Sequence, residues 1–141
     1  MLSRPGPSSF CTLQSIAERI MSRIQAVYFD SDGTGPRSDV LRAAGYEVDV
    51  CCSLIEFADC LKAHRSTELV FIADTWDKPA EGALALARGL SKAPIVLFGS
   101  GGHHYIHRCW NLEVEPPTSP SEWLADIAEL LAETRMASRK P

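Results

Sequence analysis

The stretch Leu69-Val70-Phe71-Ile72-Ala73-Asp74 decides the fold: apolar residues run without interruption and stop at a carboxylate, and Ala26-Val27-Tyr28-Phe29 runs likewise into Asp30-Ser31-Asp32. A strand that is apolar on both faces needs cover on both faces, which is the condition of a parallel sheet. In an open parallel sheet ligands bind outside the strands' carboxyl ends, so carboxylates closing two neighbouring strands converge on one edge.

Outward from these runs the chain alternates strand and helix. The first strand spans Gln25–Asp30 and the pattern predicts a short helix over Ser38–Ala44, with Gly45 as a left-handed C-cap. Tyr46–Cys51 reads as a second strand, and Ser53 caps a helix whose Leu54, Phe57, Ala58 and Leu61 share one face. After the third strand, Glu68–Ala73, a helix runs from about Ala80 to Leu90; Pro94 introduces the fourth strand, Ile95–Phe98. Leu112–Glu115 is a weak fifth strand. The last helix opens on Ser119-Pro120-Ser121-Glu122, a capping box with proline at the first helical position, and carries Trp123, Ile127, Leu130 and Leu131 on its apolar face. A weaker helical pattern runs from Thr12 to Ile24. Five strands alternating with helices imply a parallel sheet covered on both sides.

At 141 residues the chain suits one domain with a full core. We expect an N-terminal extension over 1–23, a single domain over 24–135 and a short tail over 136–141. No apolar run approaches the roughly eighteen residues of a membrane helix, and a net charge of -4 gives no general attraction to nucleic acid. Five cysteines at irregular spacings form neither a disulfide framework nor a zinc pattern, and they read as free thiols. The first twenty residues lack a secretory pattern, so a cytoplasmic setting is expected.

This arrangement, over roughly Ile24 to Glu133, resembles the receiver domains of two-component response regulators. The resemblance implies an α/β three-layer sandwich of the flavodoxin-like type, with a five-stranded parallel sheet in the order 2-1-3-4-5. It implies a phosphoryl-accepting aspartate at the end of the third strand, an acidic pair after the first that binds Mg2+, a hydroxyl after the fourth, and a lysine followed by proline after the fifth. Asp74 matches the acceptor, since Glu81-Gly82 follows where receivers carry an acidic residue and glycine. An alignment on Glu68-Leu69-Val70 alone sets Ala73 there instead, so the register stays open by one residue. Asp30 and Asp32 match the acidic pair, with Asp74 as a third metal ligand and Ser100 as a phosphoryl contact. From Asp32 to Asp74 is 42 positions (74 minus 32), close to the family's separation. Aspartates at strand-to-helix junctions also act as caps and turn formers, a rival account of the same residues.

The departures from the family are specific. Glu115-Pro116 stands where lysine-proline is expected, which reverses a charge beside the acceptor. Ser31 splits the acidic pair, Gly99-Ser100 sets the hydroxyl one residue late, and Leu112 replaces the switching aromatic. Only 15 positions separate Ser100 from Glu115, which shortens or removes the fourth helix. The reading is therefore a degenerate, stand-alone receiver-like module rather than an enzyme. Its Mg2+ binding would be weak, and its partner a protein such as a histidine kinase or an effector, with a homodimer as a further form. The shortened segment Gly101–Glu115 places the expected interface at strand five and the last helix, around Tyr105 and Trp110, with burial of these aromatics against the domain's own core as the rival reading.

A second resemblance competes. Phe29-Asp30-Ser31-Asp32-Gly33-Thr34 is similar to the first motif of haloacid dehalogenase-like phosphatases, implying Asp30 as nucleophile and Asp32 as acid-base with magnesium. Asp74-Thr75-Trp76-Asp77 resembles that family's late acidic motif, but 44 positions between Asp30 and Asp74 leave little room for the intervening elements, and Lys62 falls inside a helix. The glycine loop Gly99–His104, with His107, could ligate a metal or bind phosphate, and reads more readily as an exposed loop.

Overall fold

In the computed structural model the described residues are 24–33, 35–75, 80–100, 105, 108–116 and 118–139. Trp76, Asp77, Lys78, Pro79 and the loop histidines 103, 104 and 107 lie outside them, as do residues 12–23 of the helix expected over Thr12–Ile24, whose last residue, Ile24, is in the first strand instead.

The elements run β1 Ile24–Phe29, α1 Pro36–Ala43, β2 Tyr46–Cys51, α2 Leu54–Ala63, β3 Leu69–Ala73, α3 Glu81–Leu90, β4 Ile95–Phe98, β5 Leu112–Val114 and α4 Pro120–Arg139. All five strands are parallel in the order β2-β1-β3-β4-β5, the topology expected from the sequence. Alternate strand residues feed two cores. Tyr28, Phe71 and Phe98 pack with Leu41 of α1 and Trp123, Ile127 and Leu131 of α4. Val27, Val70, Ile72 and Leu97 pack with Phe57 and Leu61 of α2 and Ala83, Leu84 and Ala87 of α3. The sheet is thus the middle of three layers, and Phe71, fully buried, edges onto Tyr28 and Tyr46.

Caps follow the local chemistry. Ser53 Oγ accepts from the Glu56 amide at 3.2 Å while Glu56 Oε1 accepts from the Cys52 amide at 2.7 Å, a reciprocal pair that satisfies two amide donors at the start of α2. Gly45 closes α1 at φ +104°, where a side chain would be strained. Helix α1 starts two residues before the expected Ser38, because Pro36 has its φ pre-set for the first turn; Ser38 is instead buried and donates to the Gly35 carbonyl. Helix α4 continues past residue 135 to Arg139, since Met136-Ala137-Ser138-Arg139 contains no helix breaker. Among the described residues, the connection from β4 to β5 holds no helix, in keeping with its short length.

Candidate functional site

Among the described residues, those at the ends of β1, β3, β4 and β5 share one edge of the sheet. Asp30 follows β1, Asp74 follows β3, Gly99 and Ser100 follow β4, and Glu115 follows β5. The ladder continues past the strand ends and holds these positions: the Asp30 amide donates to Cys51 O at 3.0 Å, Asp74 to Phe98 O at 2.9 Å, and Gly99 to Val114 O at 2.9 Å. Phe29 is level with Ile72, so Asp30 stands beside Ala73 and Asp74 projects one residue further out.

Asp30 and Asp74 are the two carboxylates among the buried polar residues, whereas Asp32 is exposed. Asp30 Oδ1 accepts from the Asp32 amide at 2.9 Å, and Oδ2 lies 3.3 Å from the Tyr28 hydroxyl. The first bond is an Asx-type turn, completed by Gly33 at φ +94° with its amide on Asp30 O. Burial holds the Tyr28 hydroxyl above the usual tyrosine range, against the pull of a hydrogen bond from Arg37. The Arg37 guanidinium also lies over the Phe98 ring at 4.7 Å, which brings a cation from α1 to the carboxyl edge.

Asp74 is enclosed by hydroxyls. Tyr105 donates to Asp74 Oδ1 at 2.8 Å, and the Ala80 amide donates to the Tyr105 oxygen at 2.7 Å while lying 3.2 Å from the same carboxylate oxygen. Ser100 Oγ reaches Asp74 Oδ2 at 3.4 Å. Burial pushes the Tyr105 hydroxyl up to about 12, and its hydrogen bond to Asp74 acts in the same direction against the opposing Ala80 amide. Glu115 stands on the far side of the edge, its carboxylate so close to Gly99 that a Cβ there would meet Oε1 at 3.0 Å.

Magnesium demands near-ideal octahedral oxygen geometry and a compact set of free carboxylate oxygens. Here hydrogen bonds occupy the inward lone pairs of Asp30 and Asp74. Among the described residues Asp30, Asp32 and Asp74 do not bring three ligand oxygens within 4.8 Å of one another; the set that meets this spacing is Asp49, Cys60 and His64. The donor set at the edge, as arranged, does not fit a tightly held magnesium ion.

Tyr105 as a cap and Arg37 as an edge cation were not foreseen. Tyr105 approaches Asp74 across 31 residues of sequence, a distance no local pattern spans. Tyr105 and Trp110, around which the interface is expected, are half-buried and pack against the core beside α3, edge to face at 5.9 Å. Lys62 sits in the last turn of α2, lining a cavity with Glu68 and Pro94 at the opposite edge from Asp30.

No protein-family model and no curated protein matches the sequence. Among solved structures the chain is similar to a CheY-like receiver domain from Methanospirillum hungatei at TM-score 0.59 and 17% identity, covering 82% of this chain and 99% of that one. It is similar to a receiver protein from Burkholderia phymatum at TM-score 0.60 and 18% identity, covering 77% and 95%. The N-terminal domain of a response regulator/sensory box/GGDEF protein from Carboxydothermus hydrogenoformans gives TM-score 0.61 and 12% identity over 82% and 99%. The chain has the receiver-like, flavodoxin-type fold, across nearly the whole length of each of these domains. Among the described residues no helix is long and apolar enough to cross a membrane.

Proposed function

We propose that this chain is a degenerate receiver-like signalling module that acts by protein-protein contact and whose phosphorylation chemistry is suppressed at Asp74. The single observation that carries the reading is the Tyr105 hydroxyl, which donates at 2.8 Å to one of the two Asp74 carboxylate oxygens available to attack a phosphoryl group. A nucleophilic oxygen must present a lone pair in line with the phosphorus, and a hydrogen bond to that oxygen costs the attack the free energy of breaking it. Ser100 stands at the position of a phosphoryl contact, while Glu115 in place of lysine adds negative charge where a transferring phosphoryl group needs positive charge. Asp74, rather than Ala73, is the acceptor in this reading, since Ala73 is packed into the core between the sheet and its helices. In this reading Asp30, Asp32 and Asp74 bind magnesium weakly, because the Asp30 and Asp74 oxygens must first give up internal hydrogen bonds. The partner is a kinase or effector protein, or a second copy of the chain, in a cytoplasmic setting.

The test is intact-mass measurement of the full chain after incubation with acetyl phosphate and millimolar magnesium. The expected result is no lasting mass gain in the wild type. A stoichiometric acyl phosphate, absent from Asp74→Asn, would show an open acceptor and overturn the reading. Sustained hydrolysis of a phosphate ester that requires Asp30 would move the protein to the phosphatase class.

A further inference from the structure

A second cluster of ligating side chains lies on the edge strand β2, away from Asp74. Asp49 and Cys51 are two apart on β2 and point to the side covered by α2, because strand side chains alternate. Cys60 and His64 are four apart at the end of α2, one turn above the other, and the His64 amide closes that turn on Cys60 O at 3.0 Å. The ligand atoms of Asp49, Cys60 and His64 all fall within 4.8 Å of one another. His64 Nε2 stands 3.2 Å from Asp49 Oδ2. In tetrahedral zinc, bonds of about 2.0–2.3 Å hold neighbouring ligand atoms roughly 3.3–3.8 Å apart, so small side-chain rotations bring these three onto one ion.

We propose that Asp49, Cys60 and His64 bind a zinc ion, with water in the fourth position, and that the ion clips the end of α2 to the edge strand. One thiol, one imidazole and one carboxylate form a set that selects a borderline transition ion over magnesium or calcium, which take oxygen alone. The charge around the cluster suits a cation: the Glu56 carboxylate faces Cys60 together with Asp49. The Cys51 thiol donates a hydrogen bond to the Cys60 sulfur from the neighbouring position on β2. Asp49 and His64 side chains are 52% and 43% exposed, which leaves a route for the ion to enter. On binding, the Cys60 thiol releases its proton to solvent and its sulfur becomes a thiolate ligand.

Cobalt titration of the reduced, metal-stripped full chain tests this, since Co2+ reports tetrahedral sulfur ligation in its absorption spectrum. The expected result is one ion per chain with a sulfur-to-cobalt charge-transfer band, displaced by stoichiometric Zn2+ and indifferent to Mg2+. Cys60→Ser should remove the band, and His64→Ala and Asp49→Asn should each weaken Co2+ binding at least tenfold while leaving the far-ultraviolet circular dichroism unchanged. Absence of the band, its survival in Cys60→Ser, or unchanged affinity in both other variants would overturn the proposal.

Discussion

At the residue scale, Tyr105 and Glu115 set the behaviour of the acidic edge by different means. Tyr105 closes Asp74 through a hydrogen bond, and its burial makes the hydroxyl hold its proton to about pH 12. Tyr28, Tyr46 and Tyr105 are the three tyrosines of the chain, and desolvation raises all of them above the ordinary value of 10.0. A spectrophotometric titration of the folded protein should therefore show no phenolate step at pH 10, with ionisation beginning above it. The sign for stability follows: a group whose folded pKa is raised contributes stability that is complete below its unfolded value and is lost as the pH climbs through the folded value. The Tyr105 contribution should accordingly disappear between about pH 10 and 12, and a phenolate step centred on 10 would contradict its burial. Glu115 acts by charge. Glu115→Lys would place an ammonium beside the same edge, and in a Tyr105→Phe background it should raise acetyl-phosphate labelling of Asp74 about tenfold. Unchanged labelling by mass spectrometry would show that the reversed charge is inert.

At the element scale, the segment joining β4 to β5 departs furthest from the receiver pattern and was the least legible in the sequence. Its shortness was visible in the spacing from Ser100 to Glu115, but where its aromatics would go was not, because surface and core aromatics share one residue type. The structure packs Trp110 half-buried on the α3-side core, with Tyr105 edge-on to its ring. Trp110 Nε1 is buried without a hydrogen-bond partner among the described residues. Trp110→Phe gives up no hydrogen bond and should change stability by less than about 1 kcal/mol, whereas Trp110→Ala should cost roughly 3 kcal/mol by opening a cavity. Chemical denaturation distinguishes the two, and equal losses would contradict the packing. Strands were legible because runs such as Leu69–Ala73 have nowhere to go except between two layers. The start of α1 was not, because Ser38 resembles a cap while Pro36 governs the first turn. The cluster of Asp49, Cys60 and His64 was illegible for another reason: its ligands come from a strand and a helix whose pairing only the fold creates.

At the scale of the whole molecule, the sheet order and the two-sided core account for both the stability and the position of the site. Phe71 lies at the centre of the core closed by α1 and α4, in ring contact with Tyr28, Tyr46 and Phe98. Phe71→Ala should cost about 3–5 kcal/mol, a large part of the total stability of a domain this size, and a loss below about 1 kcal/mol by denaturant titration would contradict this core. The same sheet delivers Asp30 and Asp74 to its carboxyl edge, while Asp49 lies further back along β2, level with Val27, beside Cys60 and His64 of α2. In the proposed reading the behaviour of Asp74 rests on its surroundings, and here a tyrosine hydroxyl donates to it. The most direct measurement compares wild type with Tyr105→Phe for the rate of acyl-phosphate formation at Asp74 from acetyl phosphate with magnesium. Removing one hydrogen bond to a charged oxygen should raise that rate about tenfold or more; equal rates in the two proteins would contradict the account.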